Sequence, residues 1–136
     1  MRKKNKVPKR KRIKRLFTKA WAEFSKYIRR KEKNICFTCG ATGVTMHAGH
    51  YKHTGKYKLH PLNFNEVNIH CQCVRCNTYG AGRLDLYSMK LEQRFGYGVL
   101  QGLQQKFNSP DRLTEVELAE LYYHYKRVNN AEYKSH

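Results

Sequence analysis

Four cysteines fall in two Cys-x-x-Cys pairs, Cys36/Cys39 and Cys73/Cys76, with 33 residues between the pairs. Each pair makes a tight knuckle that presents two thiolates to one ion, and two knuckles complete a tetrahedral zinc site with no open position. Such a site is structural, one Zn²⁺ per chain, and its binding energy stabilises the fold. Cys71 is one residue short of the required spacing to Cys73, so it reads as a buried or idle thiol. Around the clamp lie His50, after the first pair, Asn68, before the second, and Asn77, directly after Cys76. A neutral imidazole at His50 can take a proton from water attacking a phosphodiester. Asn77 is held in place by its zinc-ligand neighbour, and its amide oxygen can ligate Mg²⁺, which prefers oxygen. That ion would offset charge on the phosphate and on the leaving 3′ oxygen. Asn68 is expected to bond backbone across the hairpin loop and so hold His50 in place. This order of His, Asn and Asn around a zinc clamp points to a metal-dependent nuclease.

Positioning those groups requires a particular run of elements. Residues 1–12 are low-complexity and basic and read as a disordered tail. From Ile13 the apolar residues Ile13, Phe17, Trp21, Phe24 and Ile28 recur at helical spacing, so 13–33 is a basic amphipathic helix. Trp21 is read as a core anchor rather than a base-stacking residue. Residues 34–82 should form the zinc-bound core. A knuckle at 34–39 leads to a strand over 44–51, a polar loop over 52–65, a strand over 66–70, and a helix starting near Cys73. That is a treble-clef order, and it also describes a ββα-metal finger. Residues 83–136 read as a C-terminal helical region. It holds helices at 84–95 and 99–107, a turn at Asn108–Asp111, and a last helix announced by the capping box Thr114/Glu117. The expected fold is therefore α+β, a zinc-stapled finger with flanking α-helices.

The chain has 136 residues and a formal net charge of +18. Residues 1–33 carry 16 Lys/Arg against 2 acids, and residues 34–136 carry 12 against 8, so most of the excess sits at one end. Such a block neutralises phosphates and releases counterions, which makes DNA the expected partner. Lys3, Lys4, Arg10, Lys11, Arg12, Lys14 and Arg15 are its expected phosphate contacts. Lys52, Lys56 and Lys58 mix with Tyr51 and Tyr57 in the hairpin loop, as on a nucleic-acid backbone. Arg75 and Arg83 flank the segment after the second knuckle and are expected to clamp the scissile phosphate. No apolar run approaches a membrane span, and nothing resembles a secretory signal, so paired thiolates on a metal in a reducing compartment are expected, with no membrane partner.

Several stretches resemble the HNH, or ββα-metal, endonuclease superfamily in its His-Asn-Asn form, and most closely the NinG/Rap recombination family of lambdoid phages. They are Ala48-Gly49-His50-Tyr51, His60-Pro61, Phe64-Asn65-Glu66-Val67-Asn68-Ile69-His70 and Gln72-Cys73-Val74-Arg75-Cys76-Asn77. The resemblance covers roughly 36–106. It implies a nuclease acting on branched recombination intermediates in the cytoplasm of a bacterial host, with His50 as general base and Asn77 at a catalytic Mg²⁺ or Mn²⁺. Recombination proteins are possible partners. Many HNH enzymes place an Asp just before the catalytic His as a second metal ligand, and here that residue is Gly49. His47 is the first substitute, and His70 or His60 the others. An imidazole ligand would shift preference from Mg²⁺ towards Mn²⁺.

Two alternatives stand beside this reading. One is a non-catalytic, zinc-stapled nucleic-acid-binding module, and the other a general HNH nicking endonuclease. A homodimer is expected because four-way junctions are nearly twofold symmetric, with the helices at 83–96 and 114–127 as its surfaces.

Overall fold

The computed structural model describes residues 5–55 and 57–134. Helix α1 (Lys9–Lys31) lines its apolar side with Ala20, Phe24 and Ile28, all buried. Its last turn carries Arg29, Arg30 and Lys31, which suits the negative end of the helix dipole. The helix begins four residues before the expected Ile13. Residues 9–12 therefore belong to it rather than to a disordered tail. The reason is tertiary as well as local, since Arg12 reaches Glu115 at the start of the last helix. Lys3, Lys4 and Lys56 lie outside the described residues.

Lys33 and Asn34, both at positive φ, turn the chain out of α1 and into the first knuckle. Gly40, at φ 76°, closes it, a conformation that a Cβ would strain. Strand β1 (Met46–His50) pairs antiparallel with β2 (Ile69–Cys73), with Met46 opposite Cys73 and His50 opposite Ile69. The second strand starts three residues later than its composition suggests. Asn65 is the reason: its side-chain oxygen takes the N–H groups of Val67 and Asn68 in a turn that delays the ladder. Between the strands, Pro61–Phe64 forms a short 3₁₀ turn with Leu62, Asn63 and Phe64 buried, so the loop is anchored in its middle. After Cys73 there is no long helix. Arg75–Tyr79 makes one wide turn, with the Gly80 N–H bonded to the Arg75 carbonyl, five residues back.

Helices α2 (Leu84–Phe95), α3 (Val99–Asn108) and α4 (Glu115–Lys134) complete the chain. Both arms of the capping box are made: Glu117 N–H donates to the Thr114 hydroxyl, and Thr114 N–H to the Glu117 carboxylate, each at 3.1 Å. Helix α4 packs along α1. There Phe24 and Tyr125 meet edge to face, and buried Asn129 joins Glu23 to Arg30. The architecture is α+β: α1 packs on the two-stranded sheet and α4 on α1, while α2 reaches β1 through Tyr87 and packs with α3. Among the described residues no helix is long and apolar enough to cross a membrane.

Candidate active site

Strand alternation sorts the hairpin into two faces. Met46, Ala48 and His50 share one with Ile69, Cys71 and Cys73, and this face meets α1. His47 and Gly49 share the other with His70 and Gln72.

The two knuckles close on each other at one end. The Sγ atoms of Cys36, Cys39, Cys73 and Cys76 all lie within 4.8 Å of one another. Cys39 and Cys73 are 3.7 Å apart. Four Zn–S bonds of about 2.3 Å imply tetrahedral edges near 3.8 Å, so the cluster fits zinc. Burial alone would raise the Cys36 pKa. The Thr38 hydroxyl and backbone N–H groups of Cys39, Cys73 and Thr38 instead bring it down to about 6. Cys71 stands outside the cluster, and burial first, then Glu32, pushes it up to about 12, so it stays a neutral thiol.

His50 points into an open cleft of about 350 Å³ walled by Phe17, Trp21, His53 and Lys58. Its Nε2 lies 3.1 Å from Asn63 Oδ1. Asn63 Nδ2 donates to the carbonyls of Tyr57 and Lys58, so its Oδ1 is the acceptor, taking the Thr54 hydroxyl and His50 Nε2–H. This network places the imidazole proton on Nε2. It leaves Nδ1 with a lone pair and no partner among the described residues. The ring stacks on Trp21 at 5.0 Å and on His53 at 5.1 Å. Burial first, then the charge of His53, lowers the His50 pKa to about 4, against a modest rise from the Asn63 bond. At neutral pH the ring is an unprotonated base.

Asn68 is fully buried and bonds only backbone. Its Oδ1 accepts from Lys52 N–H at 2.8 Å, and its Nδ2 donates to the carbonyls of Lys52 and Leu62. It therefore ties both ends of the hairpin loop that carries Asn63. From α2, the Tyr87 hydroxyl donates to the Gly49 carbonyl at 2.7 Å and fixes the end of β1.

Asn77, on the wide turn after Cys76, donates Nδ2 to His47 Nδ1 at 3.1 Å. The pair lines a second cleft of about 410 Å³, which shares Trp21 as a wall with the His50 cleft. The structure thus brings His47 to Asn77 and leaves the other two histidines away. His70 is buried with its Nδ1 against the Glu32 carboxylate and its Nε2 on the Val67 carbonyl, so both nitrogens are occupied. His60 caps the 3₁₀ turn through Leu62 N–H and reaches the Phe107 carbonyl. The missing side chain of Gly49 also has a steric reason. A Cβ there would sit 1.9 Å from Gln72 Oε1.

The expected cationic contacts divide. Arg10 and Lys14 line a cleft of about 540 Å³ with Tyr57 and Arg112, and Phe17 and Lys58 belong to both this cleft and the His50 cleft. Lys11, Arg15 and Arg75 are exposed. Arg12 pairs with Glu115, and Lys52 with Gln104, its ammonium lying over Phe107. Arg83 caps α2 in the left-handed region.

Three site residues escaped the sequence reading. Asn63 orients His50, Trp21 covers it rather than serving only as a core anchor, and Gln72 fills the space beside Gly49. Pro61 does signal the turn that carries Asn63, since proline favours the first helical position. No sequence pattern names the partner across thirteen residues.

The family model described as Bacteriophage Lambda NinG protein matches residues 1–134. Protein ninG of Escherichia phage lambda is 36% identical over 84 residues, covering 60% of this chain and 40% of that protein. Protein ninG of Salmonella phage P22 is 35% identical over 80 residues, covering 57% and 38%. Protein ninG of Escherichia phage 933W is 34% identical over 84 residues, covering 60% and 41%. The matched stretch therefore spans about two fifths of the curated relatives. No solved structure matches.

Proposed function

The chain belongs to the NinG family of lambdoid phages, and on that premise we propose that it is a metal-dependent endonuclease that cuts branched DNA recombination intermediates. In this reading the zinc-bound hairpin and the turn after it are a ββα-metal finger of HNH type, at work in the bacterial cytoplasm. The observation that carries it is His50: a neutral imidazole whose Nδ1 meets no partner among the described residues, lining a cleft that shares Phe17 and Lys58 with a cationic groove.

The chain's own groups supply the steps. Arg10, Lys14 and Lys58 bring a phosphate backbone along α1 to the His50 cleft. His50 Nδ1 takes a proton from water as its oxygen attacks phosphorus, and the bond from phosphorus to the 3′ oxygen breaks. Asn63 holds the ring, Asn68 holds the loop that carries Asn63, and Trp21 limits access of bulk water. Asn77, beside His47, is the place for a divalent ion, because its Oδ1 meets no donor among the described residues. A bound Mg²⁺ or Mn²⁺ there would offset charge on the phosphate and on the leaving oxygen.

The test is cleavage of an end-labelled four-way junction and its matched linear duplex, with Mg²⁺, with Mn²⁺, and with EDTA. The junction should be cut in preference to the duplex, and EDTA should stop cutting while binding persists. Binding without cutting under either ion would leave a zinc-stapled binding module, and equal cutting of both substrates a general nicking enzyme. Two copies per junction are expected, because the substrate is nearly twofold symmetric. Sedimentation of the protein–junction complex at one copy would remove that part.

A further inference from the structure

Gln72 is fully buried on β2. Its Nε2 has two acceptors, the Thr38 hydroxyl at 3.3 Å and the Gly82 carbonyl at 2.9 Å. With the nitrogen held there, Oε1 must face the opposite way. It meets no donor among the described residues. A buried amide oxygen left unpaired is costly, and such an orphan calls for a physical reason.

The direction of Oε1 supplies one. It faces the α-carbon of Gly49, where a Cβ would lie 1.9 Å from it. The same Cβ position is 3.1 Å from Asn77 Oδ1. Two amide oxygens, one from β2 and one from the turn after Cys76, therefore converge beside the one position of β1 that has no side chain. Asn77 is oriented like Gln72: its Nδ2 is held by His47 Nδ1, which turns Oδ1 away from that ring. Both oxygens are acceptors, and neither meets a donor among the described residues. Both are also tied to rigid parts. Thr38 sits between the zinc ligands Cys36 and Cys39, and Asn77 follows Cys76.

We propose that Gln72 Oε1, together with Asn77 Oδ1, ligates the divalent cation, and that His47 holds the Asn77 amide rather than ligating. This deepens the reading above and rests on it. Neutral amide oxygens are hard donors, so the site takes Mg²⁺ or Mn²⁺ and leaves zinc to the thiolates. Waters complete the ion's shell, as Mg²⁺ usually requires.

The experiment titrates Mn²⁺ into zinc-loaded full-length protein and follows free and bound ion by electron paramagnetic resonance. Wild type should bind one Mn²⁺ besides zinc. Gln72→Met, similar in size but without the amide, should weaken that binding by at least about tenfold with zinc content unchanged, the lost Nε2 bonds to Thr38 and Gly82 lowering the melt alone. Asn77→Ala should do the same, and His50→Ala should not. Gly49→Ala keeps every donor but puts a methyl where Oε1 lies, so it should weaken Mn²⁺ as well. It decides the matter if Gln72→Met loses zinc. The bound spectrum should lack imidazole nitrogen coupling. Wild-type affinity in Gln72→Met or Gly49→Ala, with loss in Asn77→Ala, would overturn the Gln72 assignment and leave the metal reading intact. Nitrogen coupling that vanishes in His47→Ala would overturn the role given to His47. No Mn²⁺ bound by wild type would overturn both readings together.

Discussion

His50→Ala is expected to lower junction cleavage by about 10²- to 10⁴-fold, the usual contribution of a positioned general base, while junction binding stays within a few-fold. The variant loses an imidazole that no neighbour can replace. His53 stacks on the same ring but is exposed, and the Asn63 network holds only His50. Zinc content and helical circular dichroism serve as folding controls. Cleavage at the wild-type rate by a folded variant would remove His50 from the reaction.

The pH profile gives a second handle on the same residue. An unperturbed histidine protonates near 6.5. Burial first, and then His53, brings His50 down to about 4. The acid limb of kcat/KM, which reports the free enzyme, should therefore fall near pH 4 rather than near 6.5. His53→Ala should move the limb upward, because it removes a charge that opposes protonation. Stability follows the same sign. The folded pKa is below the unfolded one, so the contribution is fully present above about pH 6.5. It is lost as pH falls towards 4 and amounts to roughly 3 kcal/mol. A limb near 6.5 that disappears in His50→Ala would contradict the buried, neutral ring.

Zinc removal should have the largest structural effect. Structural zinc binding is worth about 10–16 kcal/mol near neutral pH, as large as the whole stability of a small domain. The four thiols sit where the first knuckle, both strands and the turn carrying Asn77 meet. Without the ion, burial makes additional thiolates costly: Cys76 is pushed up to about 12. Cys73→Ser, or stripping with a strong thiol-competing chelator, should abolish the cooperative melt of the hairpin region and all cleavage. Helices α1 and α4 also pack directly on each other through Phe24, Leu118 and Tyr125, in a cluster they share with Ala48, Phe64 and Ile69 of the hairpin, so part of the helical signal should remain. An unchanged melt with no bound metal would show that the cysteines do not staple the fold. Cys71→Ser should leave zinc stoichiometry at one.

Much of this architecture is local and therefore legible. The x-x spacing selects Cys73 over Cys71, because the knuckle that presents two thiolates has one length. Thr114 and Glu117 announce the start of α4, and the 3.6-residue period of Ile13, Phe17, Trp21, Phe24 and Ile28 announces α1. Boundaries were less legible where a distant partner sets them. Lys9–Arg12 joins α1, with Glu115 of α4 held by Arg12, and Asn65 delays β2 by capturing two N–H groups.

The sequence by itself determined which residue types could do chemistry: four thiols that could hold a metal, an imidazole at His50, an amide at Asn77 directly after Cys76, and a cationic first third. Those follow from side-chain chemistry and short-range spacing. Only the tertiary structure decided which nitrogen of His50 is free, since that depends on Asn63 reaching it from a buried turn. It alone decided that His47 rather than His70 stands by Asn77, because strand register sets His47 opposite Gln72, close to the turn that carries Asn77, while Glu32 and Val67 occupy His70. It alone turned Gln72 towards Gly49. Hydrogen-bond direction and cross-strand facing are set by residues far apart in the chain, and spacing along the chain carries no record of them.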